Sequence, residues 1–445
     1  MNALSLTKSP LIQRHSDPSL NLAWATAQVG LFVFFLWPAP GGVLLGFSLL
    51  ATWWRHLGRI VRQPMMWGWL GLGLWLALTC ITAYRPVDAW LGLANFLPFF
   101  IFFATYSRLL QTAAQLRHLA WILAAGGVVV VALGLGQLVG LSTSETMTQI
   151  LGWRLHAGGN PVTRAASVFM YANILAAYLL VLISLCVGLL IDERRRGGHR
   201  GRQIFLGVLL FFGVVTLLLT SSRNAWAIAL LEAIVFSVYC GWRWVVGVVG
   251  AIGGAVGLAA FGPLPLRTWL RWIVPVFVWG RLTDQSFPNR PSATLRSTQW
   301  LFARQLTAER PWLGWGLRNF TPLYEAKTGF WLGHPHNLLL MLSAETGIPA
   351  TLAFCALVAW PLAQVGRYLL APEHWLSNLD GGDRAVLFAY GVGFGAIALF
   401  NLLDVTLFDL RMNLVGWLLL ACLNGLVLRQ RAIARDSLET PGSLK

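Results

Sequence analysis

Apolar residues fall along this chain in long unbroken runs, separated by short loops that carry arginine. A helix crossing a bilayer needs about 20 such residues, with a range near 17–25. Twelve runs come close to that length, near 20–37, 40–54, 65–83, 88–106, 119–141, 165–191, 203–221, 224–241, 243–262, 336–369, 384–407 and 411–428. The second is short and ends in Trp53-Trp54, so it is predicted to start in the Pro38-Ala39-Pro40-Gly41 turn. The tenth contains Gly347-Ile348-Pro349, which predicts a kink or a split into two helices.

Composition agrees with this pattern. The chain is 57% hydrophobic and 11% charged, against about 25% charged in a soluble domain. The fold class is therefore all-α: a polytopic membrane protein with about twelve transmembrane helices and one large outward loop. The 23 tryptophans suit the two lipid–water interfaces, where an amphipathic indole is favoured. The five cysteines lie inside apolar runs with no CxxC pair, so neither a disulfide framework nor a zinc site is expected. A polar leader, 1–19, precedes the first run, which leads straight into another span, and no cleavable signal peptide is evident.

Arginine placement sets the orientation. With the N-terminus in the cytoplasm, Arg55, Arg59, Arg62, Arg108, Arg117, the run Arg194-Arg195-Arg196, Arg243, Arg367, Arg384 and the tail 429–445 all fall inside. The outward short loops then hold only Arg85, Arg154, Arg164, Arg223 and Arg411, and both termini are cytoplasmic. Spans one to nine occupy 20–262 and the last three occupy 336–428. Between them, 263–335 forms the large outward loop, with nine basic residues against Asp284, Glu309 and Glu325. Long translocated segments escape the charge rule. The net charge of +16 is spread over many loops, so no nucleic-acid partner is expected. Within the loop, Thr268 to Trp279 reads as interfacial or re-entrant, and 292–309 as a helix with Ser292 at its N-cap.

Candidate chemistry concentrates on the outward side. His334 and His336 stand where the basic loop rejoins the membrane, with His336 at the opening of the tenth span. Imidazole suits proton transfer near neutral pH, although a histidine near a helix start often serves only as a cap. Arg223, between two spans with almost no loop, is costly near membrane depth unless it is paired, wet or snorkelling. Arg164 opens the sixth span and has a weaker form of the same claim. Asn173 and Asn401 lie inside spans, where helix-to-helix hydrogen bonding is an alternative to function. Asp404 and Asp409 flank one outward turn and read best as helix-end charges. No P-loop and no outward Asp-x-Asp pair is present, so no metal or other cofactor is expected and arginines must neutralise any diphosphate.

At these residues the chain resembles the O-antigen ligase superfamily, which includes ligases, O-antigen polymerases, protein O-oligosaccharyltransferases and cyanobacterial proteins once proposed to carry bicarbonate. The resemblance rests on Arg164 through Asn173-Ile174-Leu175-Ala176-Ala177-Tyr178, on Ser222-Arg223-Asn224-Ala225-Trp226, on Arg296 to Trp300 continuing through Glu309-Arg310-Pro311-Trp312-Leu313-Gly314-Trp315-Gly316 to Phe320, and on His336-Asn337 to Glu345-Thr346-Gly347. Ala172 stands where the family commonly has proline. The resemblance implies a bacterial inner-membrane enzyme of lipopolysaccharide or polysaccharide biosynthesis. It would carry out metal-independent, inverting glycosyl transfer from an undecaprenyl-diphosphate donor at the periplasmic face. It assigns Arg223 and Arg296 to the diphosphate and His336 to the acceptor hydroxyl, with Arg164, Asn173, Asn337, His334 and Glu345 in support. The acceptor is left open among glycan, lipid and protein. The rival reading is a small-anion (bicarbonate) transporter or an accessory protein of inorganic carbon uptake. Internal repeats and broken midplane helices would favour it; no repeat is evident.

Overall fold

A computed structural model describes residues 12–283, 291–370 and 379–439. Asp284, Arg290 and the extremes of the leader and tail lie outside the described residues, as do the side chains of Arg281 and Arg435. All regular structure among the described residues is helical. The first half comprises α1 Asn21–Phe34, α2 Pro38–Val61, α3 Pro64–Ile81, α4 Pro86–Gly92, α5 Leu97–Leu109, α6 Ala113–Leu138, α7 Glu145–Leu151, α8 Ala172–Arg195 and α9 Arg200–Leu219. The second comprises α10 Arg223–Tyr239, α11 Arg243–Phe261, α12 Leu266–Ile273, α13 Val276–Leu282, α14 Arg296–Glu309, α15 Phe320–Thr328, α16 Leu338–Leu370, α17 Gly381–Asn401 and α18 Leu410–Glu439.

Nine spans among the described residues are long and apolar enough to cross a membrane: α3, α4 continuing into α5, α6, α8, α9, α11, α16, α17 and α18. The other three apolar runs are also helical. α1 has only 14 residues and α10 only 17, while α2 carries Arg55, His56 and Arg59 toward its end. Two sequence expectations are corrected. The sixth run does not begin at Arg164: residues 165–171 are a short 3-10 turn and loop, and α8 starts at Ala172. Ser292 does not cap a helix either. It opens a 3-10 turn, and Leu295 holds the N-cap position of α14.

Burial separates the helices. The apolar windows of α8 and α18 are 83% and 89% buried, and that of α11 is 11% buried. α8 and α18 are therefore the interior posts, and small residues let neighbours approach them closely. A Cβ on Gly188 of α8 would fall 2.3 Å from Ala389 Cβ of α17, and one on Gly425 of α18 would fall 1.9 Å from the Leu110 carbonyl oxygen after α5.

The expected interruption in the tenth span is present and has a structural use. Gly347 sits at φ 83°, ψ 167°, breaking α16. The segment 311–320 laces into the gap. Pro311 O accepts from Ile348 N at 2.8 Å, Trp315 N donates to Ala344 O at 3.0 Å and Gly316 N donates to Glu345 O at 2.8 Å. A Cβ on Gly347 would lie 2.1 Å from Trp312 O, so glycine is required there for approach as well as for dihedral angle. Phe302, Leu306, Phe320, Tyr324 and Ala344 form a small second core that fastens α14 and α15 to the start of α16. That core fixes Arg296 and the His334–His336 turn relative to the bundle.

Candidate functional site

The site lies where three segments converge: 160–171 before α8, 220–222 between α9 and α10 with the first turn of α10, and 402–409 between α17 and α18. Segment 334–337 closes it. Trp300 of α14 donates its Nε1–H to Pro335 O at 3.0 Å, anchoring this last segment to the second core.

His336 does not occupy the first turn of α16 as the sequence suggested. It stands two residues before the helix at φ 52°, a left-handed conformation uncommon for a residue with a Cβ and concentrated at functional sites. The capping duty falls to Asn337, whose Oδ1 accepts from Leu340 N at 2.9 Å while its Nδ2 donates to Leu402 O at 2.9 Å. His336 is thereby released from the helix. Its own backbone N–H donates to His334 Nδ1 at 3.2 Å. The two rings meet edge to face with centroids 4.6 Å apart.

The side chain of His336 meets Asp404. Nδ1 and Asp404 Oδ1 are 2.9 Å apart, and the carboxylate is 3% exposed. Burial opposes ionisation of Asp404, yet the hydrogen bond from His336, the nearby imidazoles and the Val405 N–H hold its pKa at about 2. An ionised carboxylate only accepts hydrogen bonds. His336 therefore carries a proton on Nδ1, and in its neutral form this tautomer leaves the Nε2 lone pair available as a base. His334 is kept neutral: burial, with the charges of His336 and Arg296, lowers its pKa to about 4 against the opposing pull of Asp404. Asp404 is thus not a helix-end charge. Asp409 is one, accepting from Arg411 N and Met412 N at 3.0 Å each.

The chain of polar contacts runs further. Asp404 Oδ2 accepts from Asn173 Nδ2 at 2.6 Å, and Asn173 Oδ1 accepts from Arg164 at 2.6 Å. Arg164 also donates to Thr220 O at 2.7 Å. Burial, reinforced by the charge of Arg223, lowers the Arg164 pKa. Arg296 reaches Asn224 Oδ1 at 3.4 Å, and Asn224 donates to Leu403 O at 3.3 Å. Arg164, Asn173, Arg223, Arg296 and His336, scattered over the sequence, all line one chamber of about 280 Å³. No carboxylate lines it among the described residues.

A second chamber of about 740 Å³ lies on the other side of His336, and among the described residues only Tyr171 and His336 line both. Its character differs. Arg85, Asp88, Arg318 and Glu325 mix both charges, and Trp331 and Phe408 present aromatic surface. Asn319 joins its walls, accepting from Arg85 N at 2.7 Å and donating to Leu317 O at 2.9 Å.

Glu345 reaches neither chamber. It is 2% exposed inside α16, where it accepts from Phe320 N at 3.1 Å, so it braces the lacing around Gly347. Asn401 likewise stays structural, closing the 401–406 turn through Thr406 N at 2.9 Å. Sequence reasoning undervalued Asp404 and missed Tyr171. An acid in a loop between two long apolar runs was the only available signal for the first.

His334, His336 and Asp404 offer donor atoms within 4.8 Å of one another, close enough for a metal ion. Two of those positions are already engaged: His334 Nδ1 accepts the His336 backbone N–H, and His336 Nδ1 binds the carboxylate. Ligation through His334 Nε2 would require the proton to move to Nδ1, against that backbone donor.

Residues 206–355 match the family described as O-antigen ligase. That match, over about a third of the chain, supports membership of the O-antigen ligase and polymerase superfamily. No curated protein matches it. The matched O-antigen ligase segment holds Arg223, Arg296, His336 and Glu345, while Arg164, Asn173 and Asp404 enter the site from outside it.

Proposed function

We propose that the protein transfers a glycan from an undecaprenyl-diphosphate donor to an acceptor hydroxyl, without a metal ion and with inversion at the anomeric carbon. The observation that carries this reading is His336, held by Asp404 with Nε2 available, at the junction of an arginine-lined chamber and a larger mixed one. The diphosphate occupies the smaller chamber beside Arg164, Arg223 and Arg296. The acceptor enters the larger. His336 Nε2 takes the proton as the acceptor oxygen bonds to the anomeric carbon, and the bond to the phosphate oxygen breaks. A positioned base assists a weak hydroxyl nucleophile, while the arginines stabilise charge gathering on the departing diphosphate.

The smaller chamber, whose charged lining residues are all arginines, supports two further points. It has no carboxylate among the described residues to attack the sugar, which favours one displacement and therefore inversion. It also has none to hold a divalent ion against the diphosphate. In membrane terms, the site faces the periplasm, twelve spans cross the inner membrane, and both termini are cytoplasmic.

The test is transfer by purified protein in liposomes, using a polyprenyl-diphosphate glycan and an acceptor glycoside, with the product linkage read by NMR. Product of opposite anomeric configuration is expected. Retained configuration would refute the single displacement. Bicarbonate uptake with no transfer to any acceptor would replace the enzyme by a transporter.

A further inference from the structure

Tyr171 occupies the N-cap position of α8 and makes no side-chain capping bond there. Serine, threonine, asparagine or aspartate would supply that bond, and departures from such local rules concentrate at functional sites. The backbone around the tyrosine is held on every side. Met170, at φ 60°, turns the chain, and its carbonyl accepts from Asn160 Nδ2. Ala172 N donates to Asn160 O at 3.0 Å, and Tyr171 O accepts from Ile174 N and Leu175 N at 3.1 Å each. The ring is nonetheless 38% exposed, whereas Tyr178 further along α8 is buried. A rigid backbone thus presents a phenol to open space, as a well-placed contact to a substrate requires.

Its surroundings indicate which contact. Tyr171 and His336 are the two described residues that line both chambers. In the proposed displacement the anomeric carbon must stand where those chambers meet. The acceptor oxygen then lies on one side of it and the departing phosphate oxygen on the other. His336 serves the acceptor side. Tyr171 stands within electrostatic reach of Arg164 on the arginine side: burial lowers the pKa of that arginine, and Tyr171 opposes the shift. We infer that the Tyr171 hydroxyl is a second catalytic group, donating a hydrogen bond to the oxygen that bridges sugar and diphosphate. As the acceptor oxygen bonds to the anomeric carbon, the bond from that carbon to the bridging oxygen breaks. His336 Nε2 takes the acceptor proton, the diphosphate leaves with the bonding pair, and Tyr171 keeps its own proton throughout. A donor aimed at charge that grows in the transition state speeds the step without tightening substrate binding. The inference rests on the proposed transfer reaction and adds a residue to it.

The experiment uses the full chain in liposomes with a polyprenyl-diphosphate glycan and an acceptor glycoside. Tyr171→Phe keeps the ring and removes only the hydroxyl. Its kcat is expected to fall about ten- to a hundredfold, the worth of a hydrogen bond to a charged group. KM for donor and acceptor should stay close to wild type, as for an interaction made only in the transition state. A second variant carries 2,3-difluorotyrosine at position 171, a more acidic phenol of nearly the same shape. It should match wild type below its own pKa and lose transfer as pH rises through that pKa, because a phenolate cannot donate. This variant keeps the hydroxyl, so it decides the matter alone if Tyr171→Phe fails to fold. Undiminished kcat in Tyr171→Phe, a rise in donor KM in place of the kcat loss, or identical pH profiles for wild type and the fluorinated variant would overturn the inference. Wild type that transfers no glycan would instead refute the functional reading, which separates the two failures.

Discussion

Arg117 and Arg164 are the same residue at opposite ends of the bundle, and their surroundings give them different work. Arg117 donates to Asp192 at 2.6 Å and to Asp383 at 2.5 Å, joining α6, α8 and α17. Arg196 adds bonds to Asp192, Asp380 and Asp383. Every charge in that cluster has an opposite charge beside it. Arg164, by contrast, is held by a backbone carbonyl and an asparagine amide. Those partners orient the guanidinium, and the nearest carboxylate, Asp404, acts on it only through Asn173, which leaves much of its field for an anion. A compensated arginine clamps helices; one positioned by neutral dipoles prepares a binding site.

The comparison can be broken by experiment, and the largest effect is expected at the junction of the two chambers. His336→Ala should slow transfer about 10²–10⁴-fold while leaving donor affinity close to wild type, because the arginines remain. Loss of donor binding in step with rate would make His336 a binding residue. Next in size, Arg223→Lys or Arg296→Lys keeps the charge but loses the planar fork. Each should cost about ten- to a hundredfold in transfer. Arg310→Lys is the control, since Arg310 stacks over Trp315 at 4.0 Å and lines neither chamber. Equal tolerance at all three positions would remove the diphosphate clamp.

At the other end, Arg117→Ala should lower stability by about 2 kcal/mol, less than for an isolated buried pair because Arg196 still holds Asp192. Thermal unfolding would show that loss, while the turnover of folded protein should stay near wild type. A variant of normal stability with lost turnover would mean that the ion-pair cluster serves the reaction. The smallest expected effect is that of excess EDTA, with transfer continuing at close to the untreated rate. A requirement for a divalent ion would make the His334, His336 and Asp404 group a metal site.

Hydropathy located helices at all twelve apolar runs because a long apolar segment has few alternatives in a bilayer. It failed where apolar residues leave the helix. Ala165 to Met170 reads as the start of a span, yet Ser167 and Met170 take positive φ and the helix waits for Ala172. The interruption at Gly347 was legible from Gly-Ile-Pro, whereas its purpose was not, since the segment that laces into it lies some thirty residues earlier. The same distinction holds in the site. Arg223 and His336 stand out by residue chemistry, whereas Arg296, one of many loop arginines, stands out only through the resemblance. Asp404 stands out by neither, because its role depends on Asn173 and His336, which lie 231 and 68 residues away along the chain. Glu345 was credited to the site because it shares a motif with His336, but helical geometry turns it inward.

The central claim is that His336 and Asp404 act as one unit, the carboxylate fixing the tautomer that exposes Nε2. The measurement that tests it most directly is a double-mutant cycle on the transfer rate, with His336→Ala, Asp404→Asn and the double variant, each checked for donor binding. An asparagine can donate to Nδ1 and so favour the wrong tautomer. The account predicts that Asp404→Asn alone is strongly impaired with donor affinity kept, and that the double variant is no slower than His336→Ala. Losses that multiply in the double variant would show that the two residues act independently, and the proposed base would have to be abandoned.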